Sequence, residues 1–341
     1  MHALFMNSLF THSEYLFSSE GARIITAGFV VGMIVGVTGM GGGALMTPAL
    51  IFLGVGNASA IVTADLTAAA VYKSGGALVH WKGGSPNFRI AGWLMVGSVP
   101  FAFLGPHLVS WFVNEKNIDS LLKECIGFAL LLAASTYAVR LYIQLVRIRG
   151  GGQQPDDNPI IRPIPTILIG AVGGLLVGVT SVGSGSVIMV TLLILYPTLS
   201  PLKLVGTDLV QAVPLVLAAA LSNIGVNGLE WSITLPLIVG SVPGTLLGAR
   251  FAAKVPQSVI RRGIVIVLTM SGIALLDKAG WAPLGAGDKD THPVLIAVIG
   301  LAMLVVVPFV WGLLRRTQGL PMFGAPTVAE LEGTDKPSRT G

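Results

Sequence analysis

A single cysteine, Cys125, occurs in this chain, and it falls in an apolar run. One thiol excludes an intramolecular disulfide framework and a cysteine-built metal cluster, so Cys125 reads as a packed thiol. Charge is scarce too: Asp, Glu, Lys and Arg make up 11% of the residues, against roughly 25% in an average soluble domain. A large soluble enzyme needs a charged surface that this composition does not supply. The five histidines, at positions 2, 12, 80, 107 and 292, lie in the tail or near expected span ends. No metal site, cofactor or catalytic residue is expected. The N-terminal stretch carries Glu14 and Glu20 and lacks a basic start before its apolar residues, so a standard signal peptide is not expected either.

What the chain has in abundance is hydrocarbon. Hydrophobic residues make up 53% of its 341 positions, and the mean hydropathy is +0.80. Several runs reach or approach the roughly 20 apolar residues that cross a bilayer. The net charge of +5 sits mostly in loops and tails. That placement orients a membrane protein more readily than it binds nucleic acid. The expected class is an all-α polytopic protein of the cell inner membrane.

The sequence is also doubled. Gly36-Val-Thr-Gly-Met-Gly-Gly-Gly43 recurs as Gly178-Val-Thr-Ser-Val-Gly-Ser-Gly185. Asp65-Leu66 answers Asp208-Leu209, Val96-Gly-Ser-Val-Pro100 answers Val239-Gly-Ser-Val-Pro243, and Leu104-Gly105 answers Leu247-Gly248. The offset is 142 at the glycine runs and 143 from the aspartates onward, so one residue separates the two registers. Two homologous halves in an apolar chain point to a transporter built from repeats.

The expected organisation is an N-terminal lead at 1–22, a first membrane repeat at 23–149 and a cytoplasmic linker at 150–163. A second repeat with an extra C-terminal helix follows at 164–314, then a polar cytoplasmic tail at 315–341. Each repeat holds a glycine-broken re-entrant or discontinuous segment and about three helices. Positive clusters fall at Arg140, Arg147, Arg149 and Arg162, at Arg250, Lys254, Arg261 and Arg262, and at Arg315 and Arg316. Cytoplasmic loops carry such an excess. All three share a face if 164–197 enters and leaves by the same side. The loop at 81–89 is then cytoplasmic and its counterpart at 225–232 external, which makes the repeats inverted. The pieces around the first glycine run read as about 15 and 12 residues, too short for full crossings at 1.5 Å per residue.

Irregular backbone at membrane depth must be buried in protein or line a wet cavity. The glycine segments are the places for it, and consecutive N–H groups there can converge on an anion. Short helices beginning near Ala44 and Ser186 would add their positive ends. The candidate substrate-binding residues are Thr38, Gly41, Gly42 and Gly43 in the first copy, with Thr180, Ser181, Gly183, Ser184 and Gly185 in the second. Thr47 and Ser186 stand alongside. The competing reading is a set of small residues that lets helices pack closely.

Asp65, Asp208 and Lys73 are ionisable residues within or near the ends of apolar spans. Such a charge costs about 2.5–3.5 kcal/mol even on the lenient insertion scale. Asp65 and Asp208 are candidates for proton coupling. The alternative places both in the first turn of their helices, complementing the dipole. Lys73, about two turns beyond Asp65, either pairs with it or faces an anionic substrate.

The glycine break and its repeat, the His80-Trp-Lys-Gly83 helix end and the two Val-Gly-Ser-Val-Pro helices together resemble the TauE/SafE sulfite-exporter family, also called the 4-toluene sulfonate uptake permease family. The resemblance covers about residues 22–315. It implies a carrier of sulfur-containing or organic anions, of the sulfite, sulfonate or sulfoacetate type, driven by an ion gradient in either direction. Where relatives often show Gly-Thr-Ser, this chain has Thr63-Ala-Asp65 and Gly206-Thr-Asp208. The expected partners are the lipid bilayer, a small anion and a coupling ion, with a homo-oligomer as an option and no nucleic acid. The alternatives are a passive anion channel and an intramembrane serine hydrolase built on Ser184. Val182 spoils the Gly-x-Ser-x-Gly elbow of the latter, and no histidine follows on an adjacent apolar helix.

Overall fold

The computed structural model describes residues 18–38, 42–82, 86–149, 159–251 and 257–280, with helical positions scattered between 298 and 317. Every regular element it describes is a helix. The first repeat comprises α1 (Ser19–Thr38), α2 (Gly43–Leu53), α3 (Ala58–Lys82), α4 (Phe88–Phe112) and α5 (Glu115–Arg149). The second comprises α6 (Pro163–Thr180), α7 (Val187–Leu195), α8 (Pro201–Asn227), α9 (Trp231–Phe251) and α10 (Gln257–Lys278). The helical positions from 298 to 317 fall where the extra C-terminal span is expected.

Five of these helices, α1, α4, α6, α8 and α9, are long and apolar enough to cross a membrane. One expectation changes here. The first piece of the first repeat has 20 residues rather than about 15, giving it a length of about 30 Å. Its start lies earlier because the Ser18 hydroxyl accepts the Gly21 N–H at 2.9 Å. Glu20 then sits in the first turn, where a carboxylate suits the helix dipole. The second pieces remain short, with 11 residues in α2 and 9 in α7, or roughly 16 and 13 Å. Glycine ends α2 through Gly54 in the left-handed region at φ 69°.

The repeats are interlocked rather than set side by side. α1 packs along α9 of the other repeat, and α6 packs along α4. In both pairs glycines bring the backbones into contact. A Cβ on Gly32 would lie 2.6 Å from the Ser241 carbonyl oxygen, and one on Gly36 would lie 2.1 Å from that of Thr245. At the matching places in α6, a Cβ on Gly174 would lie 2.2 Å from the Ser98 oxygen and one on Gly178 2.3 Å from that of Ala102. Glycines of α9 return the contact, with Gly240 against Ile25 and Gly248 against Met33. Residue numbers rise together in both pairs, so each runs parallel.

Equivalent helices, by contrast, run in opposite directions. Gly56, just ahead of α3, lies against Ile233 beyond the end of α8. Asn87, just past α3, donates its N–H to Thr207 near the start of α8 at 2.9 Å. α5 and α10 oppose one another likewise: Ser120 donates to the Ala279 carbonyl at 2.9 Å, while Gly127 faces Gly272 and Leu276. Asp119 pins α5 to the start of α3, accepting from the Ala58 N–H at 2.7 Å and from Lys123 at 2.5 Å. Trp81, Trp93, Trp111 and Trp231 are exposed near helix ends, where an aromatic belt is expected.

Gly174→Ala should lower the melting temperature of the detergent-purified protein, because overpacking a tight seam costs about 1–3 kcal/mol. Gly92→Ala is the control: its Cβ would meet nothing within 4 Å, and the melting temperature should hold or rise.

Candidate functional site

The site begins with two interruptions. α2 opens at Gly43 and α7 at Val187, each within one residue of the starts read from the sequence. Between α6 and α7 the chain turns through Ser181 at φ 61° and Gly183 at φ 129°. Glycine is needed at 183, since L side chains rarely adopt that backbone. Residues 181–186 are all buried. The two segments touch: a Cβ on Gly43 would fall 1.8 Å from the Ser181 carbonyl oxygen. A Cβ on Gly42 would fall 2.1 Å from the Tyr72 hydroxyl. Gly41 lies outside the described residues.

Two helices carry the charged groups into this junction. Asp65 is eight residues into α3 and Asp208 eight residues into α8, roughly two turns from either start. The first-turn reading of both acids is therefore overturned. The helix ends have other caps: Asn57 Oδ1 accepts the Ala60 N–H at 2.8 Å, and Ser200 Oγ accepts that of Lys203 at 3.3 Å. Asp65 is fully buried, Asp208 3% exposed and Lys73 6% exposed, so the cost of burying charge falls on contacts within the protein.

Those contacts join the repeats. Asp65 Oδ2 accepts from Thr47 of α2 at 2.6 Å and from Ser181 of the second segment at 2.9 Å. Its Oδ1 is buried without a hydrogen-bond partner. Lys73 donates to Ser184 Oγ at 2.5 Å, and the carboxylates of Asp208 and Asp65 both act on its charge. Asp208 Oδ1 accepts from the Gln211 amide at 3.1 Å, and Ser98 donates to Gln211 Oε1 at 3.4 Å. Ser186, which precedes α7, is 3% exposed and its hydroxyl has no partner.

The candidates do not all converge. Ser181, Ser184, Gly43, Asp65 and Lys73 meet at one junction. Thr38 and Thr180 donate to carbonyls of their own helices, Ile34 at 2.7 Å and Leu176 at 2.6 Å. Their protons are thus engaged, and the oxygen left over has the wrong polarity for an anion. Gly185 is buried in the same turn. Sequence reasoning missed Tyr72, Ser98 and Gln211. Gln211 carried a signal, as a polar residue three places after Asp208 in an apolar span. Ser98 stood in the duplicated Val-Gly-Ser-Val-Pro motif, and Tyr72 carried no signal beyond its neighbours.

Asn223, the counterpart of His80, donates to the Gly178 and Ala219 carbonyls at 2.9 Å each. It borders a cavity of about 250 Å³ beside the last turn of α6, shared with Val179, Asn227, Ser110 and Glu115.

Five helices long and apolar enough to cross a membrane, with buried, hydrogen-bonded charge beside them, mark a multi-pass membrane protein. Its sequence carries the assignment further. The chain belongs to the sulfite exporter TauE/SafE family, whose profile matches residues 24–275. It is similar to the probable membrane transporter protein YjnA of Bacillus subtilis (strain 168), with 33% identity over 255 residues, covering 74% of this chain and 98% of the relative. It is also similar to the probable membrane transporter protein YdhB of the same organism, with 25% identity over 257 residues, covering 74% and 99%. No solved structure matches it.

Thr47→Val keeps the shape of the side chain and deletes the donor to Asp65. Removing one partner of a buried polar group costs about 1–3 kcal/mol, and the variant should melt at a lower temperature than the wild type in thermal unfolding.

Proposed function

We propose that this protein is a secondary transporter of small anions, of the sulfite or sulfonate type, working by alternating access with proton coupling. The observation that carries the proposal is Lys73, a buried cation whose bond to Ser184 crosses from one repeat to the other. In the empty site its charge is opposed by Asp208 and Asp65. Neutralising one carboxylate by a proton leaves room for one anion in its place, which couples the two without a large change in buried charge. The Ser184 and Ser186 hydroxyls and the N-terminal end of α7 supply further donors.

Family membership favours the sulfur anions. Alternating access is supported by the arrangement of the helices: α3 and α8 run in opposite directions, as do α5 and α10. Inverted repeats of this kind allow two packings related by a pseudo-two-fold axis in the membrane plane, one open to each face. The fused pairs α1–α9 and α4–α6 are the natural rigid bodies.

The contact between Ser184 and Lys73 is the one feature a serine hydrolase would share. A lysine base must accept the serine proton. Lys73, flanked by two carboxylates, is placed as a donor to that hydroxyl, which favours the transporter. A passive channel would differ in flux.

In proteoliposomes, one of radiolabelled sulfite, a sulfonate or a small carboxylate should show saturable flux that responds to an imposed proton gradient. Absence of flux for every sulfur anion in well-folded protein would sink the substrate class. Lys73→Met should cut the flux about 10- to 100-fold, the worth of a charge-assisted contact of about 1.5–3 kcal/mol. For the topology, Arg89→Cys and Glu230→Cys in a Cys125→Ser background should be labelled from opposite faces by an impermeant maleimide. Labelling from the same face would remove the inversion.

A further inference from the structure

The cavity beside the last turn of α6 takes no part in the junction of Asp65 and Lys73, yet it leads toward it. We infer that this cavity is the aqueous mouth through which the small anion reaches and leaves the buried site on one face of the membrane. The inference rests on the transport reading and gives that reading a route.

Position is the first argument. α4 and α8 run parallel, since Ser98 meets Gln211 and, farther along, Ser222 donates to the Phe103 carbonyl. α6 runs parallel to α4, and α5 starts where these helices end. At one end of the cavity Ser110, Glu115 and Asn227 are exposed. Ser110 lies in the last turn of α4, Glu115 opens α5 and Asn227 closes α8. Trp111 adjoins Ser110, Trp231 follows Asn227 by four residues, and both are exposed. An aromatic belt marks the boundary between membrane and water, so the cavity opens to water rather than to lipid tails. At its other end Leu122, Gly178 and Asn223 are buried. From Glu115 to Leu122 is two turns of α5, a depth of about 10 Å.

The floor is the second argument. Gly178 stands three residues before Ser181, whose hydroxyl donates to Asp65 at 2.9 Å. One turn of helix, roughly 5 Å, separates the cavity from the site. Asn227 donates to Asn223 Oδ1 at 3.2 Å, and Asn223 donates to the Gly178 carbonyl at 2.9 Å. The floor is thus one turn of α6, tied to α8 by a chain of amides that reaches the mouth.

The lining is the third. An empty packing gap is apolar, whereas this cavity carries two amides, a hydroxyl and a carboxylate. Its volume of about 250 Å³ is several times the roughly 30 Å³ that a water takes in the liquid, so a small anion fits with part of its hydration. Among the described lining residues there is no cation. Glu115 lies in the first turn of α5, where it offsets the positive end of that helix. Such a mouth passes an anion on, which leaves its retention to Lys73.

The duplication adds a comparison. Val179 borders the cavity, whereas Val37, its equivalent in the first repeat, is 8% exposed. One backbone frame is therefore open beside Val179 and closed beside Val37, as a carrier facing one side requires.

Cysteine labelling in proteoliposomes tests the route, with Val179→Cys and Val226→Cys placed singly in a Cys125→Ser background. The probe is an impermeant anionic thiol reagent, 2-sulfonatoethyl methanethiosulfonate, applied to one face at a time. Glu230→Cys, beyond the end of α8, defines the face and should react without loss of flux. Both cavity cysteines should react from that face alone, and their labelling should abolish anion flux relative to the same variant unlabelled. Val179 packs near Gly105, so Val226→Cys gives a second reading where the first variant folds poorly. Reaction of the cavity cysteines with flux unchanged overturns the inference, as does failure of both to react. Labelling reads water access and needs no flux. Cavity cysteines that react as expected in a protein that moves no anion uphold the aqueous mouth and refute the transport reading. Flux through a protein whose cavity never labels does the reverse.

Discussion

Charge buried at the crossing of the two repeats is the constraint to which the rest of the structure answers. Lipid offers no hydrogen bonds, so Asp65, Lys73 and Asp208 have to be solvated by the protein. The partners come from three elements at once: Thr47 from α2, Ser181 and Ser184 from the turn after α6, and Gln211 from α8. Asp208 and Gln211 share a turn of α8, but Gln211 accepts in turn from Ser98 of the first repeat, and Lys73 and Asp65 of α3 are held by Ser184 and Ser181 of the second, so neither helix carries its charge alone. The halves must meet for either to be tolerated. Burying charge in this way costs stability relative to an apolar core, even where it is hydrogen-bonded.

That meeting has a geometric condition, and glycine supplies it. The Ser181 carbonyl occupies the space a Cβ on Gly43 would need, and the Tyr72 hydroxyl occupies that of Gly42. Along the seams, glycines of α1 and α6 lie on the backbones of α9 and α4. Where lipid gives no hydrophobic drive between helices, close backbone packing is the main source of association. The same residue type thus sets both the rigidity of the swapped pairs and the close approach of the broken segments. Seam packing and the close approach of the broken segments are not rival accounts of these glycines, because the second depends on the first.

This explains what was legible in the chain. Helices α3, α4, α8 and α9 could be placed from apolar runs alone, and the starts of α2 and α7 from the glycine motifs. The swap of α1 and α6 between repeats could not, since periodicity reports which face of a helix is apolar and not which helix covers it. The glycine spacing in α1 contained that information only once Ser241 and Thr245 were known to lie opposite. The start of α1 was hidden by composition: Glu20 reads as a polar lead, whereas Ser18 makes it a capped first turn. The first-turn role for Asp65 and Asp208 failed for a related reason. Asn57 and Ser200 cap helices that begin two turns before the acids.

Duplication also conceals function. Matched motifs invite matched roles, and Asp65 with Asp208 looks like a symmetric pair in the sequence. The backbone does keep that symmetry, for Gly32 and Gly174 meet Ser241 and Ser98 in the same way. The side chains around the acids do not keep it. Serines replace glycines in one broken segment and lysine replaces valine across from them. A symmetric frame lets the two packings of an alternating-access cycle be close in energy. An asymmetric site lets the occupant decide between them, since only differential contacts shift such an equilibrium.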